Sequence, residues 1–573
     1  MFYAYAKSKY QTKNSIPDIK DNENDISDNL QKAKLFNDFF TSVFTEENKD
    51  IPTFELRTEN TINNIEITPE IILTKLKNLN TSKSPGIDNL HPKVLSETAE
   101  IIAEPLYKIF QQSLSSGKLP QQWKQAIIIP SHKKGKRNVV SNYRPISLTS
   151  IACKVLESII KDQLLWYLMN SELISPKQHG FVPNKSCFTN LLTMLDFWTD
   201  IIEKGHSVDC IYLDFAKAFD SVPHQKLIQK LKSYGINGSL INWITEYLNN
   251  RQQSVRIENS LSSWSEVISG VPQGSVLGPL LFVLFINDLP DNIESLVLMF
   301  ADDTKIYQEI TDTESSKALQ RDLYNLFQWS LKWQLKFNSS KCKVLHIGGK
   351  NPGHHYDMPT YDSQISLLEC FDKEDKDLGI HIDPLLKFTQ HTVQQVGKAN
   401  RIMAIIRRSF CFLDKVTFKY LFCALVRPHL EYCITAWYPT LQKNVDLIES
   451  VLRRGSKLVD GLGNLTYEER LRALDLPSMK YRLERGDLVH VYKILSDEKN
   501  CLKHMFEMSN SLTRGHEKKI VKPFTKSSVR LKFFANRVIN SWNSLPKDMV
   551  NASSVDKFKE LLDYHWRYQK YIF

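Results

Sequence analysis

The chain has 573 residues, of which 42% are hydrophobic and 24% are charged, the composition of an ordinary folded protein. Its length allows roughly three to four domain-sized units, each with its own core. Lys and Arg number 74 against 64 Asp and Glu, an excess that suits a phosphate-backbone partner but also occurs in many proteins that never touch nucleic acid.

The cysteines and the apolar pattern argue against secretion and membrane insertion. The nine cysteines are dispersed and form no Cys-x-x-Cys pair, which indicates free thiols in a reducing compartment. The N-terminus has no signal-peptide apolar segment. The longest apolar stretch, 276–286, is far short of the ~18 residues that a membrane span needs. We therefore expect an intracellular protein, nuclear or cytoplasmic, with no membrane partner.

The N-terminal part is predicted to be a polar lead-in followed by helices. Residues 7–31 are rich in Asn, Asp and Lys, so little order is expected there. Thr68 and Pro69 supply a cap and a first-turn Pro for one of the helices. Apolar spacing predicts helices over about 32–44, 68–79 and 91–115.

A short buried strand and a basic loop come next. The run Ala126-Ile127-Ile128-Ile129-Pro130 predicts the strand, and Lys133-Lys134-Gly135-Lys136-Arg137 forms the loop. Such a loop is usually a solvated hairpin tip, but it is also how a protein grips a triphosphate, and both interpretations stay open. Helices are then predicted up to Ile159 and over 187–204.

Two predicted strands end on carboxylates. The first, over 209–214, ends on Asp214, and the apolar run 295–299 leads into Phe300-Ala301-Asp302-Asp303-Thr304. Between them, the Gly/Pro loop 269–275 opens an apolar helix over 277–289. That loop either lets the backbone and one amide side chain approach a ligand or is only a tight turn.

The remainder is mainly helical. A helix predicted from about residue 390 has one apolar face. The basic residues outside that face either contact phosphate or form a solvated surface. In the tail, 511–573, Phe533, Phe534 and Trp542 lie among cations, which suits single-stranded nucleic acid or an ordinary helical core under a basic surface. The other predicted elements are a helix over 322–335, strands over 344–347 and 378–382, and an apolar face of Val393, Val396, Ala399, Ile402 and Ile406.

The adjacent carboxylates of Asp302 and Asp303 repel each other, so their arrangement makes most sense around a cation. Oxygen ligands favour hard ions such as Mg²⁺, with Mn²⁺ as a possible substitute. Most Asp-Asp pairs lie in solvated turns, and Asp214 supplies a third carboxylate only if the two strands are neighbours. Two divalent ions about 3.5–4 Å apart would then stabilise both oxygens of an in-line phosphoryl displacement.

An ordered set of short motifs extends over nearly the whole chain. It consists of residues 84–88, 123–134, 142–148, 213–220, 270–279, 300–304, 338–341 and 377–380. In this order the segments resemble the N-terminal extension motif, the fingers motifs, motifs A, B, C and D, and the primer-grip turn of one enzyme family. That family is the reverse transcriptases of non-LTR retrotransposons, in particular the jockey-like group.

The resemblance implies a role for each matching residue. Asp214, Asp302 and Asp303 would be the catalytic carboxylates and, with the carbonyl of Phe215, the ligands of two Mg²⁺ ions. Asp214 and Asp302 are expected to contact both ions. The residues that would bind the incoming dNTP are Lys133, Lys134, Arg144, Phe219, Gln273 and Lys341, and those of the primer grip are Leu378 and Gly379.

Some of these roles have competitors. Phe219 would stack under the incoming sugar and exclude a 2′-hydroxyl, although a Phe at the start of a helix is by itself more often a core residue. Gln273 would contact the incoming nucleotide and the template. Lys341 is a candidate general acid for pyrophosphate, with Lys343 as its neighbour and rival.

The fold implied is α+β, a right-hand polymerase of fingers, palm and thumb with an additional helical C-terminal region. The expected domains are 1–65, an N-terminal linker and helix; 66–113, the N-terminal extension of the fingers; 114–385, fingers and palm; 386–460, a thumb-like helical region; and 461–573, the basic C-terminal region. Complete elements of this group carry an endonuclease ahead of the polymerase. Because only residues 1–122 precede Trp123, we expect a product that lacks it.

The function implied is RNA-directed DNA synthesis, with an RNA template, a DNA primer or target, and dNTPs as partners. The alternative is a catalytically inactive retroelement-derived protein that only binds nucleic acid. Intact carboxylates at all three positions argue against that alternative, since a decayed copy accumulates substitutions there as anywhere.

Overall fold

The structure, a computed structural model, describes residues 16–21, 24–362, 364–371, 375–509 and 515–569. Over these ranges helices alternate with several small sheets, which confirms the predicted α+β class. None of the helices in these ranges combines the length and the apolar composition that a bilayer crossing requires.

The N-terminal part contains a short hairpin followed by helices. Ile19 of the hairpin is buried in a small cluster with Phe36 and Phe40, so the expectation of little order over 7–31 is wrong for this stretch. The elements are β1 (Ile19–Asp21), β2 (Asn24–Ile26), α1 (Asn29–Ser42), α2 (Pro69–Lys77), α3 (Pro92–Glu97), α4 (Ala99–Ser116) and α5 (Gln121–Lys124).

Local signals set the ends of these helices. The Thr68 hydroxyl accepts a hydrogen bond from the amide of Ile71, which is the predicted cap of α2. The helix expected over 91–115 is interrupted at Thr98, where α3 ends and α4 begins.

The middle of the chain supplies most of the strands. α7 coincides with the helix predicted over 187–204. The elements are β3 (Gln125–His132), β4 (Tyr143–Leu148), α6 (Ile151–Asn170), α7 (Cys187–Lys204), β5 (Ser207–Leu213), α8 (His224–Ser233), α9 (Gly238–Leu248), β6 (Arg251–Ile257), β7 (Ser260–Leu261), β8 (Ser265–Val267), α10 (Gly278–Ile286), β9 (Leu296–Phe300) and β10 (Asp303–Ile310).

A long helix and short strands follow. The helix predicted over 322–335 begins earlier, because Asp312 caps it by accepting from the amide of Ser315. The elements are α11 (Thr313–Trp333), β11 (Lys343–Ile347), β12 (Asp357–Pro359), β13 (Ile365–Leu367), β14 (Glu369–Phe371), β15 (Asp375–Asp377) and β16 (Ile380–Ile382).

The remaining described residues are helical. The elements are α12 (Thr389–Ser409), α13 (Lys415–Leu421), a π-helical turn (Phe422–Val426), α14 (Arg427–Glu431), α15 (Gln442–Gly455), α16 (Tyr467–Leu474), α17 (Met479–Ser496), α18 (Ser528–Lys532), α19 (Phe534–Arg537), α20 (Ile539–Asn543), α21 (Lys547–Val550) and α22 (Val555–Gln569). The apolar face of α12 differs from the predicted one in one place, since Val393 is exposed.

Two five-stranded sheets lie in the middle part of the chain. The palm sheet has the order β14-β11-β5-β10-β9, and its central strand β5 runs antiparallel to both β10 and β11. The fingers sheet has the order β4-β3-β6-β7, with β8 paired to β6. The long apolar helix α10 is buried from Leu280 to Ile286, so it lies inside the protein rather than on a surface.

One hydrophobic cluster joins the palm to the C-terminal helices. Its buried residues run from Leu191 in α7 to Trp566 in α22. Phe533, Phe534 and Trp542, the rings noted in the basic tail, are buried members of this cluster. The structure therefore favours the helical-core interpretation for these three rings over stacking on nucleic acid.

Candidate active site

The three carboxylates lie at one edge of the palm sheet. Leu213 of β5 pairs with Thr304 of the antiparallel strand β10. Asp214 directly follows Leu213 and Asp303 directly precedes Thr304, so both carboxylates stand next to this pair on neighbouring strands. Asp302 occupies the turn between β9 and β10. The strands predicted to carry the carboxylates are thus hydrogen-bonded neighbours, as the metal hypothesis required.

The turn that carries Asp302 is tight and closely packed. Ala301 has a positive φ of 53°, and its amide donates to the side-chain oxygen of Gln178 at 2.9 Å. The same oxygen accepts from the amide of Gly180 at 2.8 Å. A Cβ on Gly180 would lie 2.3 Å from the Ala301 nitrogen, so only Gly fits there.

The segment 177–180 runs alongside β9. The amide of His179 donates to the carbonyl of Met299 at 2.9 Å, and the amide of Met299 donates to the carbonyl of Lys177 at 3.0 Å. Gln178 is fully buried, and its amide nitrogen has no partner among the described residues. This segment supports the turn that carries Asp302, and the sequence analysis assigned it no role.

A cavity of about 590 Å³, the first cavity, opens in front of Asp214 and Asp302. Asp303 does not line it. The first cavity also brings together every residue predicted to bind the dNTP, namely Lys133, Lys134, Arg144, Phe219, Gln273 and Lys341.

Cations crowd the first cavity. Lys341 Nζ lies 3.4 Å from a carboxylate oxygen of Asp214. Burial, and then repulsion from Arg144, lowers the pKa of Lys133. Lys217, which the sequence analysis did not single out, also lines the first cavity. Its Nζ lies 4.8 Å from the centre of the Phe39 ring. Burial also lowers the pKa of Lys217. A bound polyanion would relieve this repulsion.

Phe219 and Gln273 also line the first cavity. The Phe219 ring stacks on Phe282 with centroids 4.5 Å apart. The amide of Gln273 donates to both carboxylate oxygens of Asp220, at 2.9 and 3.0 Å. Burial raises the pKa of Asp220 to about 6. Asp220 is thus a second residue that the sequence analysis quoted without a role, and it fixes the side chain of Gln273.

Glycines let the loops near the first cavity approach each other. A Cβ on Gly270 would lie 2.7 Å from the carbonyl oxygens of Phe219 and Asp220, and one on Gly274 would lie 2.6 Å from the Ser147 carbonyl oxygen. The loop 269–275 therefore does more than turn the chain, because it packs directly against Phe219 and Asp220, which line the first cavity, and against Ser147.

Phe215 presents its backbone, not its ring, to the site. The ring is buried and stacks on Phe337 at 4.5 Å. Backbone bonds from Asn338 to the Asp214 carbonyl (2.7 Å) and from Ala216 to the Lys336 carbonyl (2.8 Å) hold this stretch. The motif D segment is thereby tied to the strand that ends in Asp214.

A second cavity of about 470 Å³ lies on the other side of the carboxylates. Asp303 and the predicted primer-grip residue Leu378 both line it, and Lys134, Asp214 and Lys341 line both cavities. Leu378 and Gly379 have positive φ values of 43° and 92° and form the tip of the β15–β16 hairpin. Asp302 and Asp303 therefore face different cavities.

The donor chemistry of the carboxylates fits a divalent cation. Burial, and then the nearby charge of Asp214, raises the pKa of Asp302, while burial and then Asp302 raise the pKa of Asp303 to about 6. No three His, Cys, Asp or Glu side chains in the described ranges are grouped so as to hold an ion by themselves. Mg²⁺ commonly takes only one or two carboxylates and completes its shell with substrate phosphates and water.

Known proteins resemble the chain over the same region. The family described as reverse transcriptase (RNA-dependent DNA polymerase) matches residues 131–421. The probable RNA-directed DNA polymerase from transposon BS of Drosophila melanogaster is 29% identical over 417 residues, 68% of this chain and 44% of that protein. The RNA-directed DNA polymerase from mobile element jockey of Drosophila funebris is 29% identical over 388 residues, 65% of this chain and 41% of that protein.

The chain spans less than half the length of each of these relatives. The family match nevertheless covers half of its 573 residues and includes the strands that end in all three carboxylates. The resemblance that the ordered motifs indicated is confirmed, and the chain belongs to the reverse transcriptase (RNA-dependent DNA polymerase) family.

Proposed function

We propose that the protein is an RNA-directed DNA polymerase of a non-LTR retrotransposon, which adds dNTPs to a DNA primer paired with an RNA template. The observation that carries the proposal is the first cavity. Its lining combines two carboxylates, several basic side chains, an aromatic ring and an amide held by Asp220. A deoxynucleoside triphosphate offers a partner for each of these groups.

Asp214 and Asp302, with Asp303 and the carbonyl of Phe215, are the groups that would hold two divalent ions, Mg²⁺ or Mn²⁺. Bound ions of this kind stabilise the charge on the attacking and leaving oxygens during phosphoryl transfer. The oxygens needed beyond these ligands would come from the triphosphate, which agrees with the absence of a closed ligand cluster among the described residues.

The other residues act by binding and orienting. Lys133, Lys134 and Arg144 hold the triphosphate, and Lys341 stands beside Asp214, where it can give a proton to the leaving pyrophosphate. Phe219 lies under the sugar and Gln273 contacts the base pair. Leu378, which lines the second cavity together with Asp303, and the neighbouring Gly379 hold the primer end.

The predicted division into regions is part of this proposal. The N-terminal linker and helix (1–65) and the extension (66–113) support the fingers, and the fingers and palm (114–385) hold the nucleotide. The thumb-like helices (386–460) hold the primer–template duplex, and the basic C-terminal region (461–573) packs against the palm through the shared cluster.

Primer extension with the variant Asp302→Asn tests the proposal. The substitution removes one metal-binding charge but keeps the side-chain shape. We expect dNTP incorporation on a primed RNA template to fall by about 10²–10³-fold, the scale on which removing a single transition-state contact acts. Asp357→Asn, at an exposed position of β12, is the matched control and should leave incorporation unchanged.

The competing function, nucleic-acid binding without catalysis, gives a different result. The wild-type protein would then bind primer–template tightly and extend it with neither Mg²⁺ nor Mn²⁺. Extension by Asp302→Asn at the wild-type rate would contradict the assignment of the catalytic carboxylates.

A further inference from the structure

We propose that Lys305, Asp377 and Tyr432 are positioning residues that clamp the turn 377–380 from two sides and fix it relative to Asp303. The inference rests on the proposed function, because it gives the clamped turn the task of placing the primer end. None of the three residues needs to touch a nucleotide. Lys305 acts through the Asp377 carboxylate, and Tyr432 acts through the Leu378 carbonyl.

A buried ion pair forms the first side of the clamp. Lys305 Nζ donates to the carboxylate of Asp377, and the two side chains are 4% and 6% exposed. Lys305 belongs to the palm strand β10, whereas Asp377 is the last residue of β15, directly before the tip of the hairpin. A buried charge needs its partner, so this pair holds hairpin and palm together.

The position of Lys305 ties this contact to the catalytic carboxylate. Asp303 and Lys305 are two residues apart on one strand, and alternate residues of a strand point to the same face. Both side chains line the second cavity, as do Asp377 and Leu378. The same face of β10 therefore carries the proposed catalytic carboxylate of Asp303 and, two residues later, Lys305, which anchors the turn.

Tyr432 forms the second side of the clamp. It lies just beyond α14, and its hydroxyl donates to the carbonyl of Leu378 at 2.9 Å. A Cβ on Gly379 would lie 3.2 Å from the Tyr432 ring. The ring and hydroxyl thus cover the tip of the turn from the helical side, opposite the ion pair.

The turn needs such support because its own structure is weak. β15 and β16 have three residues each and pair only with each other among the described strands. A two-stranded hairpin is marginal in water on its own, so this one depends on contacts with the rest of the fold, among them the burial of Ile380 and Ile382 in the large hydrophobic cluster. Leu378 also has a positive φ of 43°, which is unfavourable for a side chain of this size. External contacts at Asp377 and Leu378 offset that cost.

The consequence is a fixed distance between the primer end and the metal ligands. Catalytic geometry is sensitive on the scale of 1 Å, a displacement that can lower the rate by about 10²-fold. If the turn moved independently of β10, a primer held by Leu378 and Gly379 would drift away from Asp303. The clamp removes that freedom.

The test uses the single variants Asp377→Asn and Tyr432→Phe, and the double variant. Tyr432→Phe deletes one oxygen from a half-exposed side chain, so it should fold normally even if Asp377→Asn does not. The matched controls are Asp200→Asn, which breaks an exposed ion pair with Lys204, and Tyr420→Phe, an exposed tyrosine.

The first measurement is amide hydrogen exchange on the full chain, which requires no catalysis. We expect residues 377–382 to exchange at least about tenfold faster in both single variants, with β9 and β10 unchanged, because local opening of the turn becomes easier. Exchange at the wild-type rate in both variants would overturn the clamp, whether or not the protein is a polymerase.

The second measurement is single-turnover extension at saturating dNTP on a primed RNA template. We expect the rate to fall by up to about 100-fold in Asp377→Asn and less in Tyr432→Phe, with wild-type primer–template affinity and dNTP concentration dependence. The amplitude, which counts folded and primer-bound protein, should not change. The two substitutions should be non-additive because they act on one turn.

The outcomes separate the clamp from the proposed function. Faster exchange with wild-type extension rates would overturn the positioning role while leaving the polymerase assignment intact. An inactive wild-type protein would contradict the proposed function and with it the primer task of the turn. Independent, additive losses in the two variants would show that the contacts do not act on a common element.

Discussion

Replacing Gly180 by Ala tests how closely the catalytic turn is packed. The added Cβ would lie 2.3 Å from the Ala301 nitrogen and 2.9 Å from the Phe300 carbonyl carbon. Both are backbone atoms, so no flexible side chain can swing away. Ordinary contact begins near 3.4 Å, and the turn or the segment 177–180 must therefore move by about 1 Å.

The size of the effect follows from that displacement. Overpacking a well-packed site typically costs about 1–3 kcal/mol of unfolding free energy. Asp302 follows Ala301 directly, so the same movement shifts a carboxylate that we propose to be catalytic, and a 1 Å misplacement can lower the rate by about 10²-fold. We expect Gly180→Ala to be moderately less stable and at least tenfold slower in primer extension.

Denaturant unfolding and single-turnover extension measure the two effects separately. Gly486→Ala is the matched control, because Gly486 lies inside α17 with no atom near the position of an added Cβ. Ala in a helix interior is more stable than Gly by about 0.5–1 kcal/mol, so the control should be equally active and slightly more stable. A Gly180→Ala protein with wild-type stability and rate would refute the packing argument.

Three further predictions concern charge. The pKa of Asp303 is raised to about 6, and a protonated carboxyl is a poor metal ligand. The Mg²⁺ concentration for half-maximal extension should therefore rise below pH 6. A concentration that stays constant from pH 5.5 to 8 would contradict this prediction. Lys217→Gln should raise the dNTP KM by about 10-fold or more, since hydrogen bonds to charged groups contribute about 1.5–3 kcal/mol; an unchanged KM would place the triphosphate elsewhere. Arg537→Ala leaves the carboxylate of Asp487 buried without its bidentate partner. It should lower the free energy of unfolding, measured with denaturant, by about 3–5 kcal/mol. Lys522→Ala, at an exposed position, is the control and should leave that free energy almost unchanged.

Features encoded within one short stretch could be predicted from the sequence. The apolar runs before Asp214 and Asp302 are local signals, so the strands and the carboxylates at their ends were predicted correctly. The cap at Thr68 is equally local. The roles assigned to individual site residues remain predictions, although the first cavity brings all the proposed dNTP-binding residues together.

Features that depend on pairing across the fold could not be predicted. Gln178 supports a turn more than a hundred positions later, and Asp377 finds Lys305 only because the hairpin folds back on the palm sheet. No local pattern marks either contact. The exposure of Val393 has the same origin, because the partners of α12, not its own periodicity, decide which part of its apolar face is covered.

The hydrophobic cluster that runs from Leu191 to Trp566 has a consequence for how this protein can be shortened. Trp542 and Phe534, fully buried, belong to the same cluster as residues of the palm helix α7. A protein that ended after the thumb-like helices would present the apolar partners of these rings to water, and exposed patches of this kind promote aggregation. The palm helix α7 and the C-terminal helices therefore share one core, and we expect a chain shortened in this way to aggregate.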